Sequence, residues 1–284
     1  MLLIAALAAF VHETVLAEQA VDALAVRPDG VYVDATAGGG GHARRIAARL
    51  GAGGRLLALD RDPEAVSVAR ARLQADLDAR PANEAPRVEV VHAPFSSLAA
   101  VLAERGIDAV DGVLADLGVS SPQLDEAGRG FSFRHDGPLD MRMDPTTGPT
   151  AADLVNSLPE SELSRVLFSL GDEHDARRVA RALVARRALA PFTHTAELAS
   201  AIEGAKGRRK PGTIHPATKS FQALRIAVNG EDQELLRLLH DAFAALRPKG
   251  RLAIIAFHSG EDRPVKRAFA AWARGPELPP AEAV

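Results

Sequence analysis

Two short stretches of the chain hold residues that could do chemistry. In "ADLGVSSPQLD", Ala115 to Asp125, an apolar run ends in a carboxylate and passes at once into two serines and a proline. Asp116, Ser120 and Ser121 offer hydrogen-bond acceptors, and the proline stiffens the loop that carries them. Acceptors in a rigid loop suit the task of holding an exocyclic amine, whose lone pair is delocalised into its ring and must be offered in a pyramidal, charge-developing form. In "DATAGGGGHA", residues 34 to 43, glycines let the backbone approach a bound group, and the N–H groups of a following helix can face it. Asp60 follows at about the 20-residue spacing expected of an acid that binds ribose hydroxyls. Gly38, Gly40 and Ala43 also fit the dinucleotide pattern, so this turn alone leaves a nicotinamide cofactor and other nucleosides open.

Such residues must be brought together by strands that end side by side. Residues 30–37, 55–60, 87–93 and 109–116 read as strands, and the segments after the first three, 42–50, 63–77 and 97–106, as helices. This β-α alternation is that of a parallel, doubly wound sheet, in which ligands sit beyond the carboxyl ends of the strands. Phe95 and Asp116, each at the end of a strand, then converge on one crevice with the glycine turn and Asp60. Phe95 could flank a purine ring there. Residues 151–205 show helical periodicity with arginine-rich faces and no strand, after which a last strand is expected over 250–259 and a helix near "RPVKRAFAAWARG". "FHSGED" closes that last strand. His258, Glu261 and Asp262 lack a third well-placed ligand, so no metal is expected, and His258 and Ser259 are read as pocket-wall or acceptor-positioning residues.

The chain has 284 residues, of which 47% are hydrophobic and 25% charged, enough for a full core and too apolar for general disorder. It has no cysteine, which excludes a disulfide framework and makes a reducing cytoplasm the expected compartment. The opening "MLLIAALAAF" is too short to span a bilayer, so no membrane segment is expected. Net charge is −3, but from Glu160 to Lys219 eleven basic residues face seven acidic ones, which makes the rest of the chain acidic.

Taken together, "HETVL", "GVYVDATAGGGGHARRI", "LALDRDPEA", "DGVLADLGVSSPQLDEAGRGFSFRHDGPLDMRMD", "HPATKSFQALRIAVN" and "GRLAIIAFHSGEDRPVK" resemble the bacterial 16S ribosomal RNA (cytosine-N4) methyltransferase family, called MraW or RsmH. The resemblance runs from His12 to about Lys266. It implies a Rossmann-like class I S-adenosylmethionine-dependent methyltransferase sheet with an inserted all-helical, substrate-recognising domain. The core would occupy residues 1–125 and 217–284, with the insertion at 126–216. It further implies S-adenosylmethionine contacts at Gly40, Gly41, His42, Asp60, Phe95, Asp116 and Gln123. Of these, His42 and Gln123 rest on the resemblance alone. The chain departs from the family pattern at Ala37, Gly39, Gly260 and Pro264, and it ends before the family's basic tail and final strands, which would leave the last strand at a sheet edge.

The implied partner is 16S ribosomal RNA in the small subunit, and the protein would be a monomer or a homodimer. A cytidine must be unstacked to reach such a crevice, with aromatic and arginine side chains stacking on bases. Arg129, Phe131, Phe133, Arg134 and Arg142 of the loop after Asp125 are expected to contact RNA, with Asp116, Ser120, Ser121 and His258 as catalytic residues. Arg208, Arg209 and Lys210, in a mobile-looking stretch with five basic residues and no acid, are expected to grip phosphate. Two other functions remain open from sequence. One is a nicotinamide-dependent oxidoreductase; the other is an RNA-binding or assembly factor with a degenerate methyltransferase core.

Overall fold

The computed structural model describes residues 14–207 and 214–275. Five parallel strands form one sheet: β1 (Val31–Asp34), β2 (Arg55–Asp60), β3 (Arg87–His92), β4 (Val110–Asp116) and β5 (Leu246–Ile255), in the order β3-β2-β1-β4-β5. Strand order therefore reverses between β1 and β4. At that point the connections leave on opposite sides and open a crevice past the strand ends, which the glycine turn and Asp116 flank.

Strand side chains alternate between two apolar layers, as a period of two requires. Leu56 and Ala58 face a layer built with α1 (Ala17–Leu24), α2 (Gly41–Arg49) and α3 (Pro63–Asp78), through Val21, Leu24, Ile46, Ala69 and Leu73. Leu57 and Leu59 face the other, built with α4 (Leu98–Glu104) and α11 (Glu231–Ala245), through Leu98, Val101, Leu235 and Leu238. The start of α3 is fixed by Asp62, whose side chain accepts the N–H of Glu64, and by Pro63 in the first turn.

The first and last strands are shorter or shifted relative to the sequence reading. β1 ends at Asp34 because that side chain accepts the N–H of Thr36 at 3.1 Å, folding the backbone into a turn. β5 starts at Leu246, opposite Val110, and stops at Ile255, opposite Asp116. β4 supplies no ladder beyond that residue, so Phe257 and His258 lie in the loop that enters α12 (Ser259–Arg274) rather than in the strand.

After the short helix α5 (Ser121–Asp125), a second apolar body gathers α6 (Ala151–Ser157), α7 (Glu160–Gly171), α8 (Ala176–Arg187) and α9 (Thr195–Lys206). Its core also takes Phe131, Leu139, Met141 and Met143 from the preceding loop. Ala217, Phe221, Ala223 and Leu224, around α10 (Thr218–Asn229), complete it. α7 and α10 cross closely because Gly171 has no side chain: a Cβ there would lie 2.4 Å from the carbonyl oxygen of Lys219. By packing, then, α10 belongs with the helices at 151–206 although it follows residue 216.

Candidate active site

A cavity of about 730 Å³ lies past the carboxyl ends of the strands, at the reversal between β1 and β4. Its floor is the glycine turn. Gly38 and Gly40 sit in the left-handed region with φ of 50° and 86°, which other residues adopt at a cost, and Gly40 caps the N-terminus of α2. Gly41 opens that helix under Thr14, with so little room that a Cβ would fall 2.0 Å from the Thr14 hydroxyl. Asp60 borders the same cavity, and its carboxylate is held on both oxygens. Oδ2 accepts the N–H of Gly38 at 2.7 Å and Oδ1 the N–H of Asp62 at 2.8 Å. Burial pushes its carboxyl up to about 6 in spite of those two N–H donors. Phe95 lines the cavity from the end of β3 and packs partly on the apolar layer beneath it.

Deeper in, Asp34, His42 and Asp116 meet from β1, α2 and β4. His42 Nε2 stands 3.6 Å from Asp116 Oδ2, and neither ring nitrogen of His42 has a hydrogen-bond partner among the described residues. Asp34 Oδ2 and Asp116 Oδ1 are likewise buried and unpartnered among the described residues. Burial raises the Asp34 carboxyl to about 6, against the pull of His42 and the Thr36 N–H. The backbone of Asp116 is held in place by Thr36, whose Oγ1 accepts its N–H at 2.6 Å. Unpaired polar atoms in a buried site cost stability, and they mark a place prepared for a polar ligand.

The serines and proline after Asp116 have a local cause. Ser120 and Gln123 form a capping box at the start of α5: the serine side chain takes the N–H of Gln123, and Gln123 Oε1 accepts the N–H of Ser120 at 3.0 Å. The Ser-x-x-Gln spacing signals this directly, and it gives Ser120, expected to be catalytic, a structural task at the helix start. Gln123 Nε2 donates to Asp62 Oδ2 at 2.8 Å, so both ends of its amide are anchored. Ser121, the first residue of α5, borders the cavity beside them.

A further wall of the cavity is a chain of charged groups from α10, α11 and the start of α12 with the residue before it. Arg225 donates through Nε and Nη2 to both oxygens of Glu231, each at 2.9 Å. His258 Nε2 lies 3.5 Å from Arg225 Nη2 and 3.1 Å from Glu261 Oε1. Burial raises the Glu231 carboxyl, partly offset by Arg225. Burial would raise Glu261 as well, but hydrogen bonds from His258 and the Phe257 N–H hold it below the usual carboxylate range. Of this wall, only His258 is expected from sequence as a functional residue. The acids in the first turn after "FHS" were the available signal for Glu261, whereas nothing local to Arg225 or Glu231 points to the site.

The expected RNA contacts divide sharply. Arg129 Nη2 donates to Asp62 Oδ2 at 2.9 Å and to the carbonyls of Arg142 and Met143, so it ties the loop to the core. Phe131 is buried in the helical core, and Phe133 packs edge-on to Phe221 and tilted against His215, with ring centroids 4.8 and 4.5 Å away. Arg142 is paired with Asp140. Asn229 pins the same loop, accepting the N–H of Met143 and donating to the carbonyl of Met141, each at 2.8 Å. These residues make the loop a packed buttress, and of the five only Arg134 is well exposed. Arg208, Arg209 and Lys210 lie outside the described residues.

No cluster of three or more potential metal ligands occurs among the described residues, and none of their helices is long and apolar enough to cross a membrane.

Residues 9–284 match the model of the MraW methylase family. The chain is 51% identical over 268 residues to the ribosomal RNA small subunit methyltransferase H of Azoarcus sp. strain BH72, covering 94% of this chain and 82% of that protein. An rRNA methylase of Streptococcus thermophilus aligns structurally over 38% of this chain and 57% of its own, at 20% identity and a TM-score of 0.29. A cyclopropane-fatty-acyl-phospholipid synthase-like protein of Lactobacillus casei aligns over 66% and 75%, at 15% identity and a TM-score of 0.28.

Proposed function

The chain belongs to the MraW methylase family, and from that premise we propose that it methylates N4 of a cytidine in the decoding centre of 16S ribosomal RNA, on the small ribosomal subunit in the cytoplasm. Its cofactor is S-adenosylmethionine, which removes the nicotinamide reading of the glycine turn.

The residues present suit that cofactor. The cavity volume of about 730 Å³ is in the range of small-molecule sites. Gly40, Gly41 and His42 at the start of α2 would hold its polar end, Asp60 would accept the ribose hydroxyls, and Phe95 would lie against the adenine. Gln123 keeps one amide hydrogen beyond its two anchoring bonds, and Asp116 has a buried oxygen without a partner. When bound, the cofactor supplies a methyl group on a sulfonium, which departs as a neutral thioether.

The chain's own contribution is alignment and an acceptor for the amine. Asp116 sits at the end of β4 with its backbone fixed by Thr36, so its carboxylate can accept a hydrogen bond from the target N4 and keep the lone pair aimed out of the ring plane. An N4 that accepts the methyl group would have to give up one proton. Oδ1 of Asp116, buried and without a partner among the described residues, would take that proton. His258 borders the same cavity and would position the acceptor. The observation that carries this reading is the buried Oδ1 of Asp116, unpartnered among the described residues, between the glycine turn and the capped "SSPQ" helix.

The test is transfer of labelled methyl from S-adenosylmethionine to small subunits that lack the modification, with the product nucleotide mapped. Label on a cytosine N4, lost in Asp116→Ala, is the expected result. Absence of transfer with normal cofactor binding would support an assembly factor with a degenerate core instead.

A further inference from the structure

Of the expected aromatic partners for a flipped base, Phe131 is buried in the helical core and Phe133 is packed against it, which leaves the question of what the target base stacks on. Among the described residues, two phenylalanines line the cavity, Phe95 and Phe257, and they stand at opposite ends of the sheet order, after β3 and β5. Phe257 is 56% exposed and joins none of the apolar clusters formed by the described residues. So large an exposed ring at the mouth of a cavity has no folding role that burial would explain.

Its place relative to Asp116 follows from strand register. Asp116 pairs with Ile255, and the N–H of Leu117 bonds to the Ile255 carbonyl, so two residues further along each chain Gly118 and Phe257 are neighbours. Gly118 has φ 95°, and a Cβ on it would lie 3.6 Å from Phe257 Cδ2. The ring is thus set beside the loop that carries Asp116, and its backbone N–H is tied to Glu261 Oε2 at 2.9 Å. Arg225 lines the same cavity and lies 3.5 Å from the ring of His258, the residue after Phe257; it is braced by Glu231 through Nε and Nη2 and has no partner at Nη1 among the described residues.

We propose that Phe257 is the stacking platform for the acceptor pyrimidine, and that Arg225, fixed by Glu231, donates to the ring-edge acceptors of that base. This rests on the methyltransferase reading above and specifies where its substrate sits. Cytosine presents two acceptors, N3 and O2, beside the reacting amine, whereas uracil carries a hydrogen on N3. A braced guanidinium that can only donate therefore suits cytosine. Stacking of a base on an aromatic side chain corresponds to roughly a tenfold to hundredfold effect on binding.

Steady-state methyl transfer to unmodified small subunits, together with calorimetric binding of S-adenosylmethionine, would be compared for the parent, Phe257→Ala, Phe257→Leu and Phe257→Trp. Phe257→Ala is expected to raise KM for the subunit at least tenfold and to leave cofactor Kd within twofold. Phe257→Trp should restore KM, and Phe257→Leu should not, because it keeps bulk without a π face. Arg225→Lys should lower kcat/KM with cofactor Kd unchanged. An unaltered KM in Phe257→Ala with an active parent sinks this inference alone. Equal rescue by leucine, or an equal loss of cofactor binding, also overturns it by making the ring a packing or cofactor residue. A parent that binds cofactor and transfers no methyl removes the reading on which it rests.

Discussion

Gln123 donates to Asp62 Oδ2 across 2.8 Å in the protein interior while its other amide atom takes the N–H of Ser120. Through this one contact the loop after Asp116 is joined to the start of α3. Asp62 is only 2% exposed at its side chain and also receives Arg129. Asp62→Ala removes the cap of α3 and leaves Gln123 and Arg129 buried without their acceptor. The expected loss is about 3–5 kcal/mol of folding stability, read from urea unfolding. Gln123→Ala should lose less, about 1–3 kcal/mol, and weaken cofactor binding as well.

Cofactor affinity should depend on pH through Asp60. Its carboxyl is raised to about 6 by burial, and ribose hydroxyls need the ionised form as acceptor. Below about pH 6 the protonated form dominates in the folded protein, so affinity for S-adenosylmethionine should fall by up to about tenfold per unit. Calorimetric titration from pH 5 to 8 checks this. Asp60→Asn should bind weakly, with the pH dependence in that range flattened.

Asp34 should act on stability in the same pH range. Its ordinary value of 3.8 is raised to about 6 in the fold, so between those values the folded chain holds a proton that the unfolded chain has lost. Stability contributed by this group is present at low pH and declines as pH rises to about 6. At pH 7 the buried charge costs of order 2–3 kcal/mol. Asp34→Asn keeps the acceptor for Thr36 and is expected to raise the unfolding midpoint at pH 7 relative to pH 4.5.

Phe131 and Arg134 should separate cleanly although they are three residues apart. Phe131→Ala opens the helical core and is expected to lower stability by about 3–5 kcal/mol. Arg134 is exposed, so Arg134→Ala should leave the unfolding midpoint within a degree or two and instead reduce the salt dependence of RNA binding by about one phosphate contact. An RNA affinity unaffected by Arg134→Ala across salt concentrations would remove it from the interface.

Much of the scaffold was legible along the chain. Alternating apolar residues place four strands within a few residues of their observed limits, and Asp60 and Asp116 stand at strand ends because those runs stop there. The glycine turn reads as a close backbone approach, and the structure adds the left-handed angles at Gly38 and Gly40 that require it. β5 ends four residues before the limit expected from its composition because pairing ends a strand: Ile255 is the last residue with a neighbour on β4.

What sequence alone determined here is periodicity, turn chemistry and the motif that names the family, since each depends on residues within a few positions of one another. What the tertiary structure decided is which polar and aromatic groups are still available once folding is complete. Arg129 has the composition of an RNA contact, yet Asp62 lies 67 positions away in sequence and takes its charge. Phe131 and Phe257 are the same residue type, and only packing buries the first among helices and leaves the second beside Asp116. Arg225, Glu231 and His258 become one wall because α10, α11 and the loop after β5 meet there. A side chain's availability depends on a competition among partners distant in sequence, and local pattern carries no record of who wins it.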